Sequence, residues 1–107
     1  MSNSNSSEIE VYVKVHNCGR DVVVAICDED LLGKTFVEGA VKIEVSEQFY
    51  GGEKMKIKKA MKIAKRATIA NFLGKNSVEY AVKSKLVHKD AVMVIASIPH
   101  VQLVKMS

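Results

Sequence analysis

Apolar and charged positions separate cleanly along residues 49–74. At 100° per residue, Ile57, Ala60, Met61, Ala64, Thr68 and Asn71 project to one side, with Ile63 and Ala67 at its margin. Lys54, Lys58, Lys62, Lys65 and Arg66 project to the other, joined by Lys59. Ala, Lys, Met and Arg favour helices and no proline interrupts. The pattern predicts one long amphipathic helix, introduced by Gly51-Gly52 and Glu53 and stopped at Gly74.

Before it the period changes to two. Ile9, Val11, Val13 and Val15 alternate with Glu10, Tyr12, Lys14 and His16, as in a half-buried strand. Val22 to Cys27 is apolar on both faces, as in a central strand. Asn17-Cys18-Gly19-Arg20 lies between them and predicts a hairpin turn. Placing Asn17 opposite Arg20 brings Val15 to Val22, Val13 to Val24 and Val11 to Ile26. Residues 34–38 and 41–48 read as two more strands around Gly39. A capping box from Asn76 to Glu79 starts a shorter helix carrying Val78, Ala81 and Val82 inward. Ala91 to Ile98 reads as a last strand ended by Pro99-His100. The class is therefore α+β: a small, mostly antiparallel sheet of about five strands, with both helices on one face.

A length of 107 residues suits one domain, residues 9–107, and the serine- and asparagine-rich residues 1–8 read as a disordered tail. That tail lacks the basic and apolar segments of a signal peptide, and no apolar run is long enough to span a bilayer, so a cytoplasmic protein is expected. Charge sharpens this picture. Residues 8–53 hold four basic and ten acidic side chains, whereas residues 54–107 hold twelve basic and two acidic. Residues 54–66 alone carry seven positive charges and no negative one. Such asymmetry implies an anionic partner for the second half or, more simply, a lysine-rich solvated face.

Several motifs imply little chemistry. The hairpin puts Cys18 at the turn and Cys27 at the far end of its strand, roughly 25–30 Å apart, so neither a disulfide nor a shared metal is expected. Asp28-Glu29-Asp30 reads as a capped helical turn whose acids diverge, which predicts no metal site. Gly33-Lys34-Thr35 lacks both the upstream glycine and the following helix of a phosphate-binding loop.

Leu-Leu-Gly-Lys-Thr-Phe (31–36), Val45-Ser46-Glu47-Gln48-Phe49-Tyr50-Gly51-Gly52, Ala67-Thr68-Ile69-Ala70-Asn71 and Ile98-Pro99-His100 follow in fixed order. In these motifs, spanning about residues 9–102, the chain resembles a small archaeal family, domain of unknown function 424. The resemblance implies an archaeal cytosolic protein of α+β fold near the translation apparatus, with no established reaction. It carries over Gly33, Lys34, Thr35, Tyr50, Gly51, Gly52, Thr68, Asn71, Pro99 and His100. It does not extend to the lysine stripe, because the long helix of relatives can be acidic.

Two functions follow as expectations. The first is a non-catalytic protein that contacts RNA or a ribosomal subunit through Lys54, Lys58, Lys59, Lys62, Lys65 and Arg66. With no aromatic residue on that face, backbone recognition of structured RNA is expected rather than base stacking. The second is a small-molecule-binding protein or enzyme whose pocket gathers Lys34, Thr35, Tyr50, Gly51, Gly52, Thr68, Asn71 and His100. No nucleophile stands at a recognisable spacing from a base, so no catalytic residue, cofactor or metal is assigned. For every motif residue a structural role is the plainer reading: glycines for a tight turn, Thr68 and Asn71 for buried backbone groups.

Overall fold

The structure, a computed structural model, describes residues 8–105; all but the last residue of the expected tail lies outside them. Strands β1 (Glu10–Cys18) and β2 (Asp21–Asp28) form the expected hairpin, with Val11, Val13, Val24 and Ile26 turned into a core. Its register differs from the expected one by two residues: Val15 faces Val24, Val13 faces Ile26 and Val11 faces Asp28. The loop is Gly19-Arg20, with Gly19 at φ +63°. A loop of Cys18-Gly19 would ask a cysteine for positive φ, whereas this one asks it only of glycine. A shift of two leaves every side chain on its own face.

The long helix is corrected. The basic segment divides into an edge strand β5 (Glu53–Lys56), a nine-residue helix α2 (Ile57–Lys65) and, past Arg66-Ala67-Thr68, strand β6 (Ile69–Leu73). Ile57, Ala60, Met61 and Ala64 are buried as the helical period requires. Thr68 and Asn71 continued that stripe only in projection. From Ile69 onward the segment Ile-Ala-Asn-Phe-Leu, with Ala70, Phe72 and Leu73 buried and Ile69 and Asn71 half-buried, suits the sheet interior better than a helix surface. A short helix α1 (Glu47–Tyr50) precedes β5, where a strand was expected to run on to residue 48. Ser46 caps it by accepting the Phe49 N–H at 3.1 Å.

Six strands form one mixed sheet in the order β5-β1-β2-β6-β8-β7, with β2 and β6 parallel and the other pairs antiparallel. Strands β3 (Thr35–Glu38) and β4 (Val41–Glu44) make a separate two-stranded hairpin. The expected last strand is itself a hairpin, β7 (Met93–Ile95) and β8 (Ile98–Val104), turning at Ala96 and Ser97 with φ +53° and +67°. Pro99 and His100 therefore lie inside β8, and Pro99 keeps its carbonyl engaged with the Gly74 N–H at 2.9 Å. Helices α2 and α3 (Lys75–Lys83) cover one face of the sheet, as expected. The other face packs against α1 and the β3–β4 hairpin through Phe36, Ile43, Val45 and Tyr50.

Helix α3 is not capped by Asn76. Gly74 holds the position before it at φ +110°, ψ 160°, and the capping oxygens come from Asp28. Gly74 thus starts a helix rather than stopping one.

Candidate functional site

Helix α2 presents Lys58, Lys59, Lys62 and Lys65 to solvent, and Arg66 follows at its C-terminal cap. Among the described residues none of these five cations pairs with a carboxylate. The cations beside them in sequence behave differently. Lys54 lies in β5 opposite Tyr12, with its ammonium 2.9 Å from Glu29 Oε2 and 4.0 Å from Glu10 Oε1. The hydrogen bond and charge of Glu29 hold the Lys54 ammonium above its usual range. Lys56 pairs with Glu8 at 3.1 Å. The structure therefore removes Lys54 from the basic face on which helical projection had placed it.

Beside α2 runs a groove of about 330 Å³, lined by Lys58, Lys62 and Lys65 on one helix and Tyr80 and Ser84 from α3, with Met61 and Leu86 between. The Lys83 ammonium sits 5.3 Å from the centre of the Tyr80 ring. No aromatic was expected on this face. Tyr80 reaches it because α3 packs beside α2, a tertiary neighbourhood that periodicity within either segment does not encode.

The motif residues divide by location. Gly33 donates to the Val45 carbonyl at 2.7 Å and the Lys34 carbonyl accepts the Val45 N–H at 2.9 Å, closing the base of the β3–β4 hairpin. The Lys34 side chain is exposed, and Thr35 pairs with Glu44 in β3. Gly51 and Gly52 are fixed by close approach. A Cβ on Gly51 would meet the Glu47 carbonyl at 2.6 Å, and one on Gly52 would overlap the Val13 carbonyl. Thr68 is a strand clamp: its hydroxyl oxygen lies 2.9 Å from the Val22 N–H and 3.1 Å from Asp21 Oδ1. Asn71 accepts from Gln102 Nε2 at 3.1 Å across the sheet.

Tyr50 and His100 do share a cleft. They line a cleft of about 380 Å³ with Ile43, Leu73, Met93 and Ile95, and neither Lys34, Asn71 nor Thr68 lines it. The expected polar pocket is thus not assembled as a unit. Burial, and then the Cys27 thiol, push the Tyr50 phenol up to about 12, and burial lowers the His100 imidazole. Burial also pushes the Cys27 thiol up to about 12, with Asp28 and Asp30 adding to it. Elsewhere His16 is structural: it stacks on Phe49 at 4.9 Å and its Nε2 lies 2.9 Å from the Phe49 carbonyl, docking α1 on β1. A broader groove of about 670 Å³ is lined by Glu8, Glu10, Glu29 and Asp30, and three of these carboxylates meet Lys54 or Lys56.

Fold and surface together define a small mixed-sheet α+β protein with a cationic helical layer on one face and an apolar cleft on the other. Among the described residues no histidine bonds a serine, threonine or cysteine. The chain belongs to the family described as "Protein of unknown function (DUF424)", whose model matches residues 15–106. It is similar to a crystal structure described as that of an uncharacterized conserved protein from Methanopyrus kandleri, at 29% identity and a TM-score of 0.79. That likeness covers 92% of this chain and 95% of the other. No curated protein matches the chain. No helix among the described residues is long and apolar enough to cross a membrane.

Proposed function

We propose that this protein is a non-catalytic, cytoplasmic RNA-binding protein of the archaeal translation apparatus, which holds phosphates of structured RNA on the outer face of α2. One observation carries the reading: Lys58, Lys59, Lys62, Lys65 and Arg66 share an exposed face with no carboxylate partner among the described residues, while Lys54 and Lys56 beside them are paired. A helix surface shaped for stability alone gains from mixed signs, whereas Lys58 and Lys62 repel at the i, i+4 spacing. Phosphates would relieve that repulsion. Contact made by flexible ammonium groups on a helix face reads backbone rather than sequence.

The test is the salt dependence of binding to ribosomal subunits and to a structured ribosomal RNA fragment. Neutralising about four or five phosphates should cost two to three orders of magnitude in affinity between 50 and 200 mM salt, by the counterion slope of roughly 0.7–0.9 per phosphate. Replacing Lys58, Lys62 and Lys65 together by glutamine should lower that slope by about two to three while leaving the circular dichroism spectrum unchanged. Equal binding by wild type and triple variant across the range would reduce the basic helix to a solvated surface.

A further inference from the structure

On the opposite face of the sheet the β3–β4 hairpin is tied down at both ends. Its base is closed by the Gly33 and Lys34 bonds to Val45, and near its tip the Glu38 carboxylate accepts the Ala96 N–H of the β7–β8 turn. Phe36 and Ile43 seal the middle against the sheet, but between Ile43 and the edge residues Met93 and Ile95 a gap is left. Leu73 and Tyr50 lie along it, and His100 enters from β8 opposite Leu73.

The polar groups in this gap are unusual. Tyr50 is 8% exposed, yet its hydroxyl bonds to no group among the described residues. Among the described residues no fully enclosed side-chain oxygen or nitrogen is unpaired, so the Tyr50 hydroxyl keeps some contact with solvent, and Tyr50 lines the cleft. The half-buried His100 ring likewise bonds to no described group. Tyr50 and His100 thus line, together with Lys42, an otherwise aliphatic space of about 380 Å³, at the lower end of the volumes that hold small molecules.

We infer that this cleft is a binding site for a compact, largely apolar molecule bearing one carboxamide or carboxylate head. Its sp² oxygen accepts from the Tyr50 hydroxyl, its second head-group atom meets the His100 imidazole, and its body lies among Ile43, Leu73, Met93 and Ile95. Tyr50 remains a donor at neutral pH, because its phenol titrates only near 12, and His100 remains a neutral ring with one donor and one acceptor. Those two states suit an uncharged amide directly. A carboxylate would draw on the Lys42 ammonium, since Lys42 also borders the cleft. The site is independent of the RNA-facing helix, which lies across the sheet.

Benzamide, benzoate and toluene form a same-shape series that separates head-group recognition from apolar filling. Each is titrated into the full chain while methyl resonances of Ile43, Leu73, Met93 and Ile95 are followed by NMR. Benzamide or benzoate should bind saturably with a dissociation constant on the order of 1 mM, and toluene about tenfold more weakly or worse. Which of the two heads binds better identifies the amide or the acid. Tyr50→Phe keeps the ring and its edge contact with Phe49 and removes only the donor, so it should weaken the better ligand about tenfold. His100→Ala should weaken it as well, and the Lys58/Lys62/Lys65 glutamine variant should not. Toluene binding as tightly as either head, no saturable shift with any of the three, or an unaltered affinity in Tyr50→Phe would each overturn the inference.

Discussion

Asp28 and Ser77 stand 49 residues apart in the chain and share two hydrogen bonds. Asp28 Oδ1 accepts the Ser77 N–H at 2.8 Å and its hydroxyl at 2.7 Å, while Oδ2 accepts the Asn76 N–H at 2.9 Å. The parallel pairing of β2 with β6 explains the meeting, because Cys27 opposite Leu73 sets the end of β2 beside the start of α3. A carboxylate from one strand thereby satisfies the free amides and the positive dipole end of a helix that follows another. It also fills the place where an anionic ligand would bind a strand–glycine–helix turn.

Removing that carboxylate should loosen α3 from the sheet. Asp28→Ala leaves two buried or half-buried amides and a hydroxyl without an acceptor, and should cost about 3 kcal/mol or more. Ser77→Ala removes one bond to a charged group and should cost about 1–2 kcal/mol. Urea unfolding followed by circular dichroism checks both, and comparable losses in the two variants would contradict the capping role.

Gly74 belongs to the same arrangement. Its φ of +110° with ψ 160° is open in practice only to glycine, and an added Cβ would overlap Asp28 Cγ and lie 2.8 Å from Asp28 Cβ. Gly74→Ala should therefore cost about 3 kcal/mol or more, from backbone strain together with displacement of the cap. In Asp28→Ala the clash with the carboxyl group disappears while the contact with Cβ remains, so the two substitutions together should cost less than their sum. A double-mutant cycle measures that difference directly.

Much of this was legible in the chain. The alternation of β1, the two-sided apolar run of β2 and the 3.6-residue period of α2 fixed faces correctly. Thr68 and Asn71 show why the rest was not. On a helical wheel they extend the stripe of Ala60 and Ala64, and only their strand partners, Val22 for Thr68 and Gln102 for Asn71, tie them to the sheet, Thr68 at the entry to β6 and Asn71 within it. Asp28 was read as a local cap for the turn after it, but its oxygens serve a helix brought near by the parallel crossover. The cleft of Tyr50 and His100 depends on where a hairpin lies over the sheet, and local period carries no information about that.

The cysteines should differ sharply in reactivity. Cys18 is exposed at the hairpin turn and Cys27 is buried with its thiol pushed up to about 12, and both are free. A thiol reagent such as Ellman's should titrate one group in the native protein at pH 8 and two after denaturation. Two fast groups in the native state would contradict the burial of Cys27.

Stability should carry a signature of His100. Burial sets its folded pKa below the ordinary 6.5, so the unfolded chain binds more protons as pH falls. A depressed folded value means the full contribution is present above about pH 6.5 and is lost as pH drops through the folded value. Wild type should therefore lose more stability between pH 7 and pH 5 than His100→Gln, which cannot titrate. Parallel losses in the two proteins would show that the ring is solvated in the folded state.

The final prediction sets Lys54 against Lys62. The two are both exposed cations of one basic run in the sequence, and composition gives no reason to separate them. In the fold, Lys62 is on the outer face of α2 and borders the groove, whereas the Lys54 ammonium is engaged by Glu29 at 2.9 Å from the opposite side of the sheet. A phosphate that recruited Lys54 would have to break that pair and come close to Glu29 and Glu10, whose charges repel it. Lys62→Gln should therefore lower the salt slope of RNA binding by about 0.7–0.9, the value of one phosphate contact. Lys54→Gln should leave the slope unchanged, although it removes the same formal charge. Equal reductions would mean that net charge alone drives the association, and that the arrangement of α2 has no part in it.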